Sequence, residues 1–94
     1  MKKQYMFLTM DEELEKVLLL GYELKLSPAE FEILNIIFDE RPITAPLILE
    51  RLKKPMTQKS LSVHISSINK KALDITGRKF ISNTSLGYRF AKYL

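Results

Sequence analysis

The sequence predicts an α+β domain in which a small antiparallel sheet comes first, three helices follow, and a β-hairpin closes the chain. Three observations carry that prediction. Two strand-like arms flank Gly21, and in the second of them apolar residues alternate with polar ones, as in a half-buried hairpin. A helical period then begins at Ser27-Pro28-Ala29-Glu30 and persists, with breaks at Pro42 and Pro55, as far as Gly77. Beyond Gly77 the pattern turns strand-like again.

Tyr5 to Thr9 is rich in large apolar residues and precedes the polar Asp11-Glu12-Glu13, so it reads as a strand running into a loop. Glu15 to Leu20 and Tyr22 to Leu26 form a hairpin about Gly21, in which Leu24 and Leu26 face inward and Glu23 and Lys25 face water. The sheet therefore covers residues 4–26. The acidic residues 11–15 lack the Asp/Asn-Gly spacing of a calcium loop and read as a solvated turn.

Ser27 at the N-cap, Pro28 at the first helical position and Glu30 three residues after the cap form a capping box. The helix it opens spans 28–40, carries Phe31, Ile33, Leu34, Ile37 and Phe38 on its apolar side, and ends before Pro42. A shorter helix over 45–53 buries Ile48, Leu49 and Leu52, and Lys54-Pro55 stops it. Thr57 caps a third helix over 58–75, whose stripe is Leu61, Ile65, Ile68, Ala72 and Ile75. Gly77 stops it. The closing hairpin spans 79–92, with strands Phe80 to Asn83 and Tyr88 to Ala91 joined by Thr84-Ser85-Leu86-Gly87. The methionines and the Phe and Tyr residues read as core.

A length of 94 residues fits one domain. With no cysteine there is no disulfide frame and no thiolate metal site. The longest apolar run, Val17 to Leu20, is far short of the roughly 18–20 residues a bilayer requires, so the chain reads as soluble and cytoplasmic. His64 is the sole histidine and has no companion ligands for zinc. No glycine-rich phosphate loop and no nucleophile–base pair is present, which argues against an enzyme and calls for no cofactor.

Charge is divided unevenly. Residues 1–40 hold four Lys/Arg and nine Asp/Glu, a balance of −5, while residues 41–94 hold eleven and two, a balance of +9. The basic half is a candidate surface for a polyanion. Its second and third helices, joined by about four residues, have the layout of a helix-turn-helix, whose second helix enters the major groove. The third helix presents Lys59, Ser62, Ser66, Asn69 and Lys70 in one row and Ser60, His64, Ser67 and Lys71 in the next, and positions 57–73 contain no acid. Such groups donate to phosphates and reach base edges. The candidate DNA surface is thus Lys59, Ser60, Ser62, His64, Ser66, Ser67, Asn69 and Lys70 on the helix, with Ser82, Thr84, Tyr88 and Arg89 on the hairpin. Tyr88 has a preferred structural reading, packing the hairpin while Gly87 permits its turn, and Arg89 and Lys92 are wing cations within reach of a duplex.

The run Gly21-Tyr-Glu-Leu-Lys-Leu-Ser-Pro-Ala-Glu, the run Leu61-Ser-Val-His-Ile and the closing Leu86-Gly-Tyr-Arg-Phe resemble the OmpR/PhoB-type winged-helix DNA-binding domain, in the family's order from Tyr5 to Phe90. The resemblance implies a four-stranded sheet, three helices and a C-terminal hairpin wing, with the third helix in the major groove and the wing at the adjacent minor groove. It implies a transcription regulator, usually placed behind a phosphorylatable receiver domain and pairing head-to-tail on direct repeats. A ToxR/CadC-like branch sets the domain ahead of a membrane segment. Neither attachment lies within these residues.

The chain departs from the family where arginines are common: it has Ser66, Ser67 and Asn69 on the helix and Thr84 on the wing. Each bidentate guanine contact is worth about 1–3 kcal/mol of discrimination, so weaker or more A/T-tolerant recognition is expected. The segment Lys53 to Lys59 is shorter than usual. That loop can touch RNA polymerase in the family, and its shortening counts against such contact here. The alternative function is a winged helix that has lost DNA recognition and serves protein–protein contact.

Overall fold

The computed structural model describes residues 2–91. Four strands come first: β1 Lys2–Tyr5, β2 Leu8–Asp11, β3 Lys16–Leu19 and β4 Tyr22–Glu23, an antiparallel sheet in the order β1-β2-β3-β4. Three helices follow, α1 Pro28–Glu40, α2 Ala45–Arg51 and α3 Gln58–Thr76, and then the hairpin of β5 Ile81–Thr84 and β6 Gly87–Phe90. This α+β order is the expected one, with the four strands that the resemblance implies and one more than the residue pattern alone gives.

The added strand comes from a turn that the sequence conceals. Tyr5 to Thr9, read as one strand, is broken at Met6-Phe7, with Tyr5 paired to Leu8. Met6 takes a left-handed φ of 51°, a conformation glycine or asparagine usually signals, and neither is present. At the β3–β4 hairpin the glycine signal is honoured: Leu20 and Gly21 have φ of 53° and 84°, as a two-residue hairpin loop with matching twist requires. The arm beyond it pairs only at Tyr22–Glu23, although Leu24 N–H still donates to Val17 O at 2.8 Å and Leu24 is buried. Between β2 and β3, Asp11 Oδ1 accepts from Glu13 N and Leu14 N at 3.1 and 3.2 Å, so the acidic segment is a side-chain-closed turn.

The helices start where their caps predict. Ser27 Oγ accepts from Glu30 N, and Glu30 Oε1 accepts from Ser27 N at 2.8 Å. Arg41, before Pro42, is already extended. Thr57 Oγ1 accepts from Ser60 N, and Gly77 ends α3 in the left-handed region. Helix α2 stops at Arg51, earlier than expected, because Leu52 turns extended while its N–H still donates to Ile48 O.

The core lies between the inner face of the sheet (Leu8, Met10, Val17, Leu19) and the apolar faces of the helices, including Ile33, Leu34, Ile37, Ile48, Leu61, Ile65, Ile68 and Ala72. Ile75, at the end of the predicted stripe, is only partly buried. Phe80 and Phe90 stack at 5.6 Å, and Tyr5 and Phe38 pack around them. Two residues expected in the core, Met6 and Tyr22, are instead exposed at the turns of the sheet.

The hairpin register differs from the expected one. The loop is only Ser85-Leu86, and Gly87 opens β6 rather than lying in the turn. Its need for glycine is a close approach: a Cβ there would fall 2.5 Å from the Ile43 carbonyl carbon and oxygen, and its φ is 124°. Ile43 N donates to Tyr88 O and Tyr88 N donates to Ile43 O, so the α1–α2 connection pairs with the hairpin and aligns it against the helices.

Candidate nucleic-acid interface

Helices α2 and α3, joined by residues 52–57, are held to α1 from three sides. Arg51 Nη2 donates to Glu40 Oε1 at 2.8 Å, and Lys53 N donates to Glu32 Oε2 at 2.7 Å. Deeper in, Glu30 is only 3% exposed, and its carboxylate accepts from Lys71 Nζ at 2.6 Å. Burial pushes the Glu30 carboxyl up, but hydrogen bonds from Lys71, the Ser27 backbone and the Ser67 hydroxyl outweigh it and hold its pKa down to about 2. These ties fix α3 against the body and leave one face outward.

That face brings together Lys59, Ser62, Ser66 and Lys70, all exposed as expected from the sequence. Ser60 and His64 are half-buried at its flank. Three predicted members are placed elsewhere. Asn69 is 8% exposed and spends its amide on the wing: Nδ2 donates to Ile81 O at 2.9 Å, and Oδ1 accepts from Phe80 N and Ile81 N at 3.2 and 2.9 Å. Assigning it to base edges is therefore corrected, because the amide is buried and turned to the wing backbone, away from the outward face. Lys71 turns to Glu30, and Ser67 is half-buried on that flank. Tyr88 is buried, in line with its structural reading.

The wing carries Ser82 and Thr84 exposed and Arg89 half-buried. Thr84 Oγ1 donates to Gly87 O at 2.9 Å and accepts from Leu86 N at 3.2 Å, so its hydroxyl shapes the tip. Lys92 lies outside the described residues.

Sequence reading passed over two residues of this surface. Val63, 60% exposed, lies in the middle of the outward face of α3, and Leu86, 72% exposed, is at the wing tip. Val63 is four residues after Lys59 and seven before Lys70, and that helical spacing is the signal that places it with them. Both supply apolar surface of the kind that meets thymine methyl groups or base steps. Lys59 and Lys70 make no ion pair among the described residues, so the face is cationic. Among those residues there is no group of three or more His, Cys, Asp or Glu placed to hold a metal, and no helix is long and apolar enough to cross a membrane.

The architecture is the winged helix-turn-helix of OmpR/PhoB-type response-regulator DNA-binding domains. No protein-family model and no curated protein sequence matches the chain. Among solved structures it is similar to the C-terminal DNA-binding domain of RstA from Klebsiella pneumoniae, with 27% identity and a TM-score of 0.78 over 98% of this chain and 90% of that one. The same domain solved in complex with the RstA box gives 26% identity and a TM-score of 0.77, covering 98% of each chain. DrrB of Thermotoga maritima, an OmpR/PhoB homolog, aligns with a TM-score of 0.74 at 24% identity, over 96% of this chain. A redox sensor of the streptococci, from a family that evolved from two-component response regulators, aligns with a TM-score of 0.78 at 21% identity, again over 96% of this chain. The chain spans 44% and 42% of the length of those last two.

Proposed function

We propose that this chain is a duplex DNA-binding domain and serves as the output domain of a two-component-type transcription regulator. The observation that carries the reading is the outward face of α3, where Lys59, Ser62, Val63, Ser66 and Lys70 stand together on a helix whose residues 57–73 include no acid. The RstA domain, solved with its DNA box, supports it through a shared fold at 26% identity. On this reading Lys59 and Lys70 hold phosphates, Ser62, Val63 and Ser66 meet base edges, and the wing tip at Leu86 follows the neighbouring groove. The domain has no role as an enzyme. A receiver domain coupled to it, and head-to-tail pairing on direct repeats, complete the proposal. The compact 52–57 turn disfavours a polymerase contact through that segment.

A second reading, protein–protein contact without DNA, is favoured by the absence of any arginine on α3. One experiment separates the two. Binding to a random-sequence duplex pool is measured by anisotropy across a salt series, and the retained duplexes are sequenced. Micromolar or tighter binding with a steep salt slope and an enriched motif is the expected result. No binding at low salt would overturn the proposal in favour of the second reading.

A further inference from the structure

Two arginines of this fold, Arg41 and Arg89, line one cleft of about 210 Å³ together with Tyr5, Pro42 and Phe90. The pairing of Ile43 with Tyr88 brings them there, since it sets the end of the α1–α2 connection beside β6. Arg41 is held in place before any ligand arrives. Its guanidinium lies 3.7 Å from the Tyr5 ring centroid and 5.2 Å from that of Phe38, and it donates to Phe38 O at the end of α1. Arg89 is half-buried on the β6 side, opposite Ser82 in the hairpin register.

The charge balance at this cleft is unlike that of the other partly covered cations. Lys3 pairs with Glu12 and Asp39, and Lys71 with Glu30. Arg41 and Arg89 have no ion pair among the described residues, and no carboxylate lines the cleft. Two half-buried like charges sharing one concavity repel each other unless an anion joins them. Arginine forks fit tetrahedral oxyanions bidentately, and a partly apolar wall strengthens that attraction. We propose that this cleft is a phosphate-binding site in which Arg41 and Arg89 grip the oxygens of one phosphate group.

The phosphate can arrive free or as part of a DNA backbone. Arg89 is three residues behind Leu86, about 10 Å along the strand from the wing tip. The DNA source rests on the function proposed above; the free-phosphate source does not. The test is a titration of the labelled protein with inorganic phosphate at constant ionic strength, with chloride as control, observing the Nε–H signals of both arginines. Saturable shifts at Arg41 and Arg89 are expected. Arg89→Gln should abolish them without affecting the fold, since that guanidinium makes no hydrogen bond among the described residues. Arg41→Lys, which keeps the charge but loses the fork, should weaken them at least tenfold. If the backbone is the source, duplex DNA displaces the phosphate and Arg89→Gln lowers the salt slope of DNA binding by about one. If free phosphate is the source, its titration is unchanged by DNA and the slope stays as in the wild type. Chloride-like, unsaturable shifts together with an unaltered salt slope overturn the proposal, and the titration reads out even if the chain binds no DNA.

Discussion

Replacing Asn69 with alanine removes a side chain that pins the start of the wing to α3. Three hydrogen bonds go with it, from Asn69 Nδ2 to Ile81 O and from Phe80 N and Ile81 N to Asn69 Oδ1, in a site where Asn69 is 8% exposed. A buried donor or acceptor left unsatisfied costs about 1–3 kcal/mol. Because one of the lost bonds is the longer at 3.2 Å and the site borders solvent, the three together should cost about 3 kcal/mol rather than the full sum. For a domain of this size each kcal/mol moves the melting temperature by roughly 4–8 °C, so a fall of about 12–24 °C is expected. Urea denaturation and calorimetry measure it, and faster exchange of the Phe80 and Ile81 amides localises it. The base preferences of the selected DNA sites should remain those of the wild type. A variant within about 0.5 kcal/mol of wild type, with relaxed preference at a single base pair, would refute the reasoning and return Asn69 to the DNA surface.

Glu30, held near pKa 2 against an ordinary 4.5, binds its proton less readily in the folded state than in the unfolded one, so its contribution is present above pH 4.5 and lost as the pH falls toward 2. The difference is worth about 3 kcal/mol, and Glu30→Gln should flatten the fall in denaturant stability across that window. Changing both Lys59 and Lys70 to Glu should abolish duplex binding in the anisotropy assay while leaving the melting temperature within a few degrees, since both side chains are exposed. Unchanged affinity would remove α3 from the interface. Gly87→Ala puts a Cβ 2.5 Å from the Ile43 backbone at a φ of 124°, and should cost more than about 2 kcal/mol in urea denaturation. Near-wild-type stability there would show that the wing does not depend on its pairing with Ile43.

Much of the fold was legible because its signals are local. The capping box at Ser27 and Glu30, the stop at Arg41 before Pro42, the cap at Thr57 and the left-handed Gly77 each act through groups within a few residues. The β1–β2 turn was not legible, because Met6 adopts a left-handed conformation that its residue type does not announce. Along α3 the sequence marked which residues turn away from the stripe of Leu61, Ile65, Ile68 and Ala72, and Lys59, Ser62, Ser66 and Lys70 do stand outward. It did not separate a polar side chain that faces solvent from one that faces another element, and Asn69 falls beside outward neighbours in the pattern for that reason.

By itself, then, the sequence determined the order of sheet, helices and hairpin, the capped starts of α1 and α3, and the cationic, acid-free character of α3, since periodicity, capping and charge are properties of neighbouring residues. Tertiary structure decided where each flank of α3 looks. Glu30 claims Lys71, the wing backbone claims Asn69, and the pairing of Ile43 with Tyr88 sets Arg41 and Arg89 along one cleft. Those assignments depend on partners 11 to 45 residues away in the chain, and only packing determines which buried polar group finds which partner.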